Sequence, residues 1–155
     1  MVYALECLSI VSIVFQDGVN ELNVGAYLKN QKANVYLLQE TFSNSKDEKI
    51  WAAEWGGQIF YSHGSNHSKG VCVLIKSNSP LHVEIVELDV NGRFIILCLK
   101  TPGEINLNVV NVYAPTDPRE QIDFINSFSK KIISLTNTCN ARVFLCFDSF
   151  GERTV

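Results

Sequence analysis

The sequence predicts a mixed α/β domain, with helices packed on a largely antiparallel sheet. Three observations carry that prediction. Short apolar runs rich in Val, Ile and Leu outnumber the helix-like segments. An Asn-Gly pair, Asn91-Gly92, sits between two such runs near the middle of the chain and reads as a hairpin turn. The chain has 155 residues, of which 46% are hydrophobic and 19% charged, enough apolar material for the core of one domain.

The elements follow in order. Ala4–Phe15 is an Ile- and Val-rich run that stops at Asp17-Gly18 and reads as a first buried strand. It lacks the basic flank and the small-residue cleavage site of a secretory signal. Val24, Tyr27 and Leu28 then share one face of a short helix. Asn34–Leu38 is a second strand, ending in Gln39-Glu40. Ser45 and Glu48 have capping-box spacing ahead of Trp51, Ala52 and Trp55, and Gly56-Gly57 closes that helix. Gln58–Ser62 and Gly70–Lys76 are strands, and Leu81, Val83 and Ile85 alternate with polar residues in another. After the expected type I′ turn at Asn91-Gly92 come Phe94–Leu99, a turn at Thr101–Glu104, and the strand Ile105–Tyr113. On that strand Leu107, Val109, Asn111 and Tyr113 share a face. Asp117-Pro118-Arg119-Glu120 opens the longest helix, whose predicted stripe is Ile122, Ile125, Phe128, Ile132 and Leu135. Arg142–Phe147 is the last strand and runs into Asp148.

Composition narrows the function classes. Thirteen Lys and Arg against sixteen Asp and Glu give a net charge of −3, which argues against binding nucleic acid through bulk positive charge. No apolar run reaches ~18 residues, which argues against a membrane-spanning helix. The five cysteines, Cys7, Cys72, Cys98, Cys139 and Cys146, lack C-x-x-C spacing, and four of them lie in or beside apolar runs. They read as buried thiols in a reducing, intracellular compartment, nuclear or cytoplasmic. His63 and His67 read as a polar loop rather than a metal site, and His82 as the solvent face of a strand.

Three polar side chains stand at the C-terminal ends of apolar strands: Glu40, Tyr113 and Asp148. A strand aims its last side chain rigidly, and the loops beyond leave room for a ligand. Each taken alone has a structural reading as a turn cap, a half-buried tyrosine or a loop start.

The surrounding residues add a resemblance. Leu38-Gln39-Glu40-Thr41 and Asn111-Val112-Tyr113-Ala114-Pro115 bracket Trp55-Gly56-Gly57, Phe60-Tyr61-Ser62-His63-Gly64 and Lys69-Gly70-Val71. In this order and spacing, from about Leu22 to Asp148, the chain resembles the endonuclease/exonuclease/phosphatase superfamily. Its closest look is to the endonuclease domain of non-LTR, LINE-type retrotransposons, which is similar to apurinic endonucleases and DNase I. The resemblance implies a DNase I-like four-layer α/β sandwich and Mg²⁺- or Mn²⁺-dependent hydrolysis of phosphodiester bonds in DNA. It implies Glu40 as metal ligand, Tyr113 as donor to a phosphate oxygen or as the group that orients the nucleophile, Asp148 as the group that orients or deprotonates the attacking water, and Asn111 as a supporting or packing residue.

The match has gaps. Phe15 stands where the family carries an Asn beside its metal site, with Gln16 and Asp17 as substitutes. Phe150 occupies a polar position two residues after Asp148, and no histidine matches the family's C-terminal Ser-Asp-His segment. Residues 1–155 are therefore expected to form a single, C-terminally incomplete domain, with the first sheet and only the start of the second. The first sheet's inner face is expected to be bare, inviting self-association or a covering partner. Catalysis is expected to be impaired or lost, DNA affinity weak, and membrane contact absent. The alternatives are a non-catalytic scaffold or binding module of the same fold, or a phosphatase of the same superfamily.

Overall fold

Two four-stranded sheets lie face to face in the computed structural model of the chain, which describes residues 9–14, 21–65, 69–138 and 142–148. The first sheet has the order β1-β2-β4-β3, from β1 (Ile10–Val14), β2 (Val35–Gln39), β3 (Gln58–Ser62) and β4 (Val71–Ile75). The second has the order β5-β6-β7-β8, from β5 (His82–Leu88), β6 (Phe94–Lys100), β7 (Asn106–Tyr113) and β8 (Arg142–Asp148). Each sheet carries one parallel pair at its edge, β1 with β2 and β7 with β8, and is otherwise antiparallel.

Side-chain alternation along the strands builds four layers. Val35 and Leu37 of β2 and Val71, Val73 and Ile75 of β4 point inward. They meet Ile95, Leu97 and Leu99 of β6 and Leu107, Val109 and Tyr113 of β7. The intervening Tyr36, Leu38, Cys72 and Leu74 point outward, under α1 (Glu21–Lys29) and α2 (Glu48–Trp55), which contribute Leu28 and Trp55. On the far side Ile96, Val110 and Val112 meet Phe128 of α3 (Pro118–Thr138). All five residues of β2 and of β4 are buried because both faces are covered, which explains their unbroken apolar runs.

The expected α/β sandwich is therefore present, but the expected bare face is not. The second sheet has four strands, and it covers the inner face of the first: Val35, Leu37, Val71 and Val73 are fully buried.

Local chemistry departs from expectation at several points. The β5–β6 connection is longer than a two-residue type I′ turn. Leu88 pairs with Ile95, and of the Asn-Gly pair only Gly92 takes a positive φ, 74°. The Asp89 carboxylate organises this loop by accepting the N–H groups of Asn91 and Arg93. The Ser45–Glu48 box does not form; Asp47 precedes α2, and Glu48 binds elsewhere. Gly56 ends α2 in the left-handed conformation as expected, whereas Gly57 is required by space, since a Cβ there would lie 2.2 Å from the Ile75 carbonyl oxygen. Asp117 caps α3 through the Arg119 N–H, and Pro118 is its first residue. The inward-facing stripe of α3 is the buried Phe128 with the partly buried Phe124, Ile132 and Leu135; Ile122 and Ile125 are exposed, as is Tyr27 on α1. His82 is exposed, as expected. Ala4–Leu8, Phe15, His67, Cys7 and Cys139 lie outside the described residues.

Candidate active site

The site grows from the ends of β2 and β7. Glu40 follows β2 directly with φ 53°, and Phe42 has φ 49°. Left-handed backbone costs a non-glycine residue roughly 1–2 kcal/mol, so two in three positions need support from their surroundings. Part of that support is backbone. Thr41 N–H donates to Gly70 O (3.1 Å), and Phe42 N–H to Lys69 O (3.3 Å). Gly70 N–H in turn donates to Gly92 O (3.1 Å), which ties the segment to the β5–β6 loop. That loop is pressed against its neighbour: a Cβ at Gly92 would lie 2.7 Å from Gly64 Cα. Only glycine tolerates both this approach and the positive φ.

The turn aims the Glu40 carboxylate at the opposite sheet. Its Oε1 accepts a 2.9 Å hydrogen bond from the Tyr113 hydroxyl. Tyr113 is nearly buried, and its N–H donates to Arg93 O (2.7 Å). The Arg93 guanidinium lies 5.6 Å from the centre of the Tyr113 ring, a cation–π contact. Two of the three predicted residues are thus in direct contact although 73 positions separate them. The third, Asp148, is placed beside them by backbone register: in the parallel β7–β8 pair it lies opposite Tyr113.

Beneath the pair lies a buried polar staple. Asn111 Nδ2 donates to Leu38 O (2.9 Å) and Cys72 O (3.0 Å), crossing from the second sheet to two strands of the first. Its Oδ1 accepts from Gln39 Nε2 (3.0 Å), which also donates to Val112 O (2.9 Å). Asn111 and Gln39 are fully buried. Asn111 therefore ties together the strands that carry Glu40 and Tyr113.

A further cluster lies on the other side of Glu40. Cys72 Sγ lies 3.8 Å from Thr41 Oγ1, Thr41 Oγ1 3.1 Å from Ser43 Oγ, and Ser43 Oγ 3.0 Å from His63 Nδ1. His63 Nε2 meets Glu48 Oε1 at 2.7 Å, and its ring stacks on Tyr61. Burial pushes the Cys72 thiol up to about 12, so it stays protonated and inert. Desolvation by burial likewise raises the Tyr61 hydroxyl. Sequence reading set His63 aside as loop and assigned Glu48 to a cap. Ser43 and Arg93 carry no distinctive local signal, and neither the spacing of Glu48 nor the motif around Gln39 shows these contacts, because the partners are brought in from distant parts of the chain.

Among the described residues no cluster of three His, Cys, Asp or Glu side chains is poised to hold a metal. Glu40 offers one hard carboxylate whose Oε2 has no protein partner among them. That donor suits Mg²⁺, which takes one or two carboxylates and keeps several waters. Phe15, Gln16, Asp17 and Phe150 lie outside the described residues.

Comparison with solved structures decides what architecture this is. Over 93% of its length the chain superposes on 60% of the endonuclease domain of TRAS1, a telomere-specific non-LTR retrotransposon, with TM-score 0.62 and 15% identity. It superposes on an AP endonuclease from Archaeoglobus fulgidus over 91% of this chain and 56% of that one, with TM-score 0.60 and 20% identity. A truncated Caenorhabditis elegans TDP2 matches 90% of this chain and 61% of its own, with TM-score 0.62 and 15% identity. The fold is that of the endonuclease/exonuclease/phosphatase superfamily. In sequence, this DNase I-like chain is 32% identical over 104 residues to the Transposon TX1 uncharacterized 149 kDa protein of Xenopus laevis. That match spans 67% of the chain and 8% of the relative's length. No family model matches. Among the described residues no helix is long and apolar enough to cross a membrane.

Proposed function

We propose that this chain is an endonuclease-like phosphodiesterase domain acting on DNA with Mg²⁺ or Mn²⁺, slower than a domain with a full set of catalytic groups. The observation that carries the reading is the Tyr113 hydroxyl donating to Glu40 across the two sheets at their strand ends. A buried tyrosine that orients a partly exposed carboxylate makes a poor structural cap but a good phosphate-facing pair. The likeness to a retrotransposon endonuclease domain and to a transposon protein favours DNA over a small phosphoester.

In this reading Glu40 is the ligand for the metal, which when bound neutralises charge on the phosphate and the leaving oxygen. Tyr113 keeps the Glu40 carboxylate oriented and turns its hydroxyl toward a phosphate oxygen when substrate enters. Asp148, beside Tyr113 in register, orients the attacking water and takes its proton. Phe150 supplies no donor to the phosphate, and one missing donor of that kind costs ~10²–10³ in rate. The acidic balance makes duplex affinity weak at physiological salt.

The test is Mg²⁺-dependent nicking of supercoiled plasmid by purified protein, with Glu40→Ala and Asp148→Ala as controls. Slow nicking lost in both variants supports the proposal. No nicking above the variants, from a folded sample, overturns it in favour of a non-catalytic scaffold of the same fold.

A further inference from the structure

We propose that His63 is a positioning residue for Glu40: with Ser43 and Thr41 it forms a hydrogen-bonded relay that holds the left-handed Glu40–Phe42 segment in the geometry that presents the carboxylate. The metal part of this inference rests on the function proposed above; the relay itself does not.

The first argument is placement. The segment from Glu40 to Ser43 has two left-handed non-glycine residues, and Thr41 and Ser43 between and beside them are buried. Their side chains meet Cys72 on β4 and His63 just after β3. There Ser43 finds His63, and His63 is itself fixed on three sides: by Ser43 at 3.0 Å, by Glu48 at 2.7 Å, and by the Tyr61 ring at 5.1 Å between centroids and 25° between planes. Glu48 opens α2, so its carboxylate also sits where a helix N-terminus favours negative charge. The relay thus runs from a helix start to the turn that carries Glu40.

The second argument is donor counting. With a neutral His63 whose Nε2–H faces Glu48, every proton in the chain has an acceptor. Cys72 S–H donates to Thr41 Oγ1, Thr41 O–H to Ser43 Oγ, and Ser43 O–H to His63 Nδ1. The Ser43 hydroxyl also lies 3.9 Å from Cys72 Sγ, so the buried thiol touches both hydroxyls of the segment. Without His63 Nδ1, Ser43 is left among the described residues with the Thr41 hydroxyl or the weak thiol acceptor. Among the described residues, the titratable groups shown against His63 are Glu48, whose carboxylate meets Nε2, and Tyr61, which stacks on the ring.

The experiment uses the whole chain and two readouts that do not require turnover. Mn²⁺ affinity is measured by electron paramagnetic resonance of the free ion, and hydrogen–deuterium exchange follows residues 40–43. Four variants are compared: His63→Phe, which keeps the stack on Tyr61 but deletes both hydrogen bonds; Ser43→Ala; the double variant; and Glu48→Gln, which can still accept from Nε2. Outer partners of metal ligands are worth ~10–100-fold in affinity. His63→Phe and Ser43→Ala should each weaken Mn²⁺ about 10-fold and speed exchange at 40–43, with no further loss in the double variant. Glu48→Gln should stay within about twofold of the parent.

A lowered melting temperature with unchanged Mn²⁺ affinity and unchanged exchange at 40–43 would make His63 mere glue between α2 and the sheet, and would overturn the proposal. Additive losses in the double variant would overturn the relay. If the parent chain binds no Mn²⁺, the metal reading fails by itself, and exchange at 40–43 alone decides whether the relay stands.

Discussion

Two asparagines on β7 make opposite predictions from the same burial. Asn111 and Asn108 are both essentially inaccessible, three residues apart, one on each face of the strand. Asn111 satisfies both ends of its amide across the sheet interface. Asn108, beside Val110 on the face under α3, has neither amide atom paired among the described residues. Leucine is close in shape to asparagine, so substitution tests the polar atoms rather than volume. Asn111→Leu strands the Leu38 and Cys72 carbonyls and one Gln39 N–H. At ~1–3 kcal/mol per buried group left unpaired, three groups bound the loss near 9 kcal/mol. The two carbonyls keep a second lone pair for the strand ladder, and a buried Leu returns ~1.5–3 kcal/mol. The central expectation is a loss of about 3 kcal/mol, or a melting temperature lower by roughly 6–12 °C for a chain of this size. Asn108→Leu removes two unpaired atoms instead and should gain about 1–2 kcal/mol, raising the melting temperature by roughly 2–8 °C. Urea unfolding followed by tryptophan fluorescence measures both. Equal signs for the two substitutions would refute the claim that pairing, rather than polarity, decides their worth.

Other consequences follow from single contacts. Tyr113→Phe should leave folding intact and lower any plasmid nicking by ~10²–10³, read from initial rates under saturating Mg²⁺. Gly57→Ala should unfold the chain or detach α2, because its Cβ meets the Ile75 carbonyl that also accepts the Trp55 indole N–H; circular dichroism shows which. Cys72 should resist Ellman's reagent at pH 8 until the chain unfolds. Its thiol lies at about 12 in the fold against 9.0 ordinarily, so the folded state holds the extra proton. That contribution to stability is complete below pH 9 and is lost as pH rises toward 12, and Cys72→Ala should remove that part of the alkaline decline. The Asp117 carboxyl is held below its ordinary value by Arg119, so its support for the start of α3 is present above pH 4 and fades as the acid range is entered; Asp117→Asn should flatten that acid limb in a thermal melt.

Strands were legible in the sequence wherever both faces are buried or the alternation is clean, as in β2, β4 and β7, because burial alone writes those patterns. What escaped was set by partners far along the chain. Glu48 has capping-box spacing but spends its carboxylate on His63, fifteen residues away. Ile122 and Ile125 fit a helical stripe, yet α3 turns Phe124 inward instead, where it stacks on Phe128. The covered inner face was missed for a similar reason: four short strands suffice for a second sheet, and their count is visible only once β8 is seen to pair with β7. At the site, Glu40 and Tyr113 stood out because each ends an apolar strand. Their contact did not, because it depends on a left-handed turn that no residue at positions 40–42 advertises.

That turn bears on whether chemistry survives. A carboxylate at the end of a strand would, by default, continue into an extended loop and follow solvent. Here the backbone bonds to Lys69 and Gly70, the Asn111 staple and the bond from Tyr113 all act against that default. Strained backbone at two non-glycine positions persists only while its surroundings hold it, and mutations that relax it would stabilise the chain. A scaffold kept for shape alone has no use for the strain. Phe42→Gly relieves one left-handed residue without touching the Glu40 carboxylate. If Glu40 works, the variant should be no less stable than its loss of the Phe side chain allows, and it should bind Mn²⁺ more weakly because the turn is looser. If the strain has no function, Mn²⁺ affinity should be unmoved, and the Tyr113–Glu40 bond would then be a structural contact at the end of two strands.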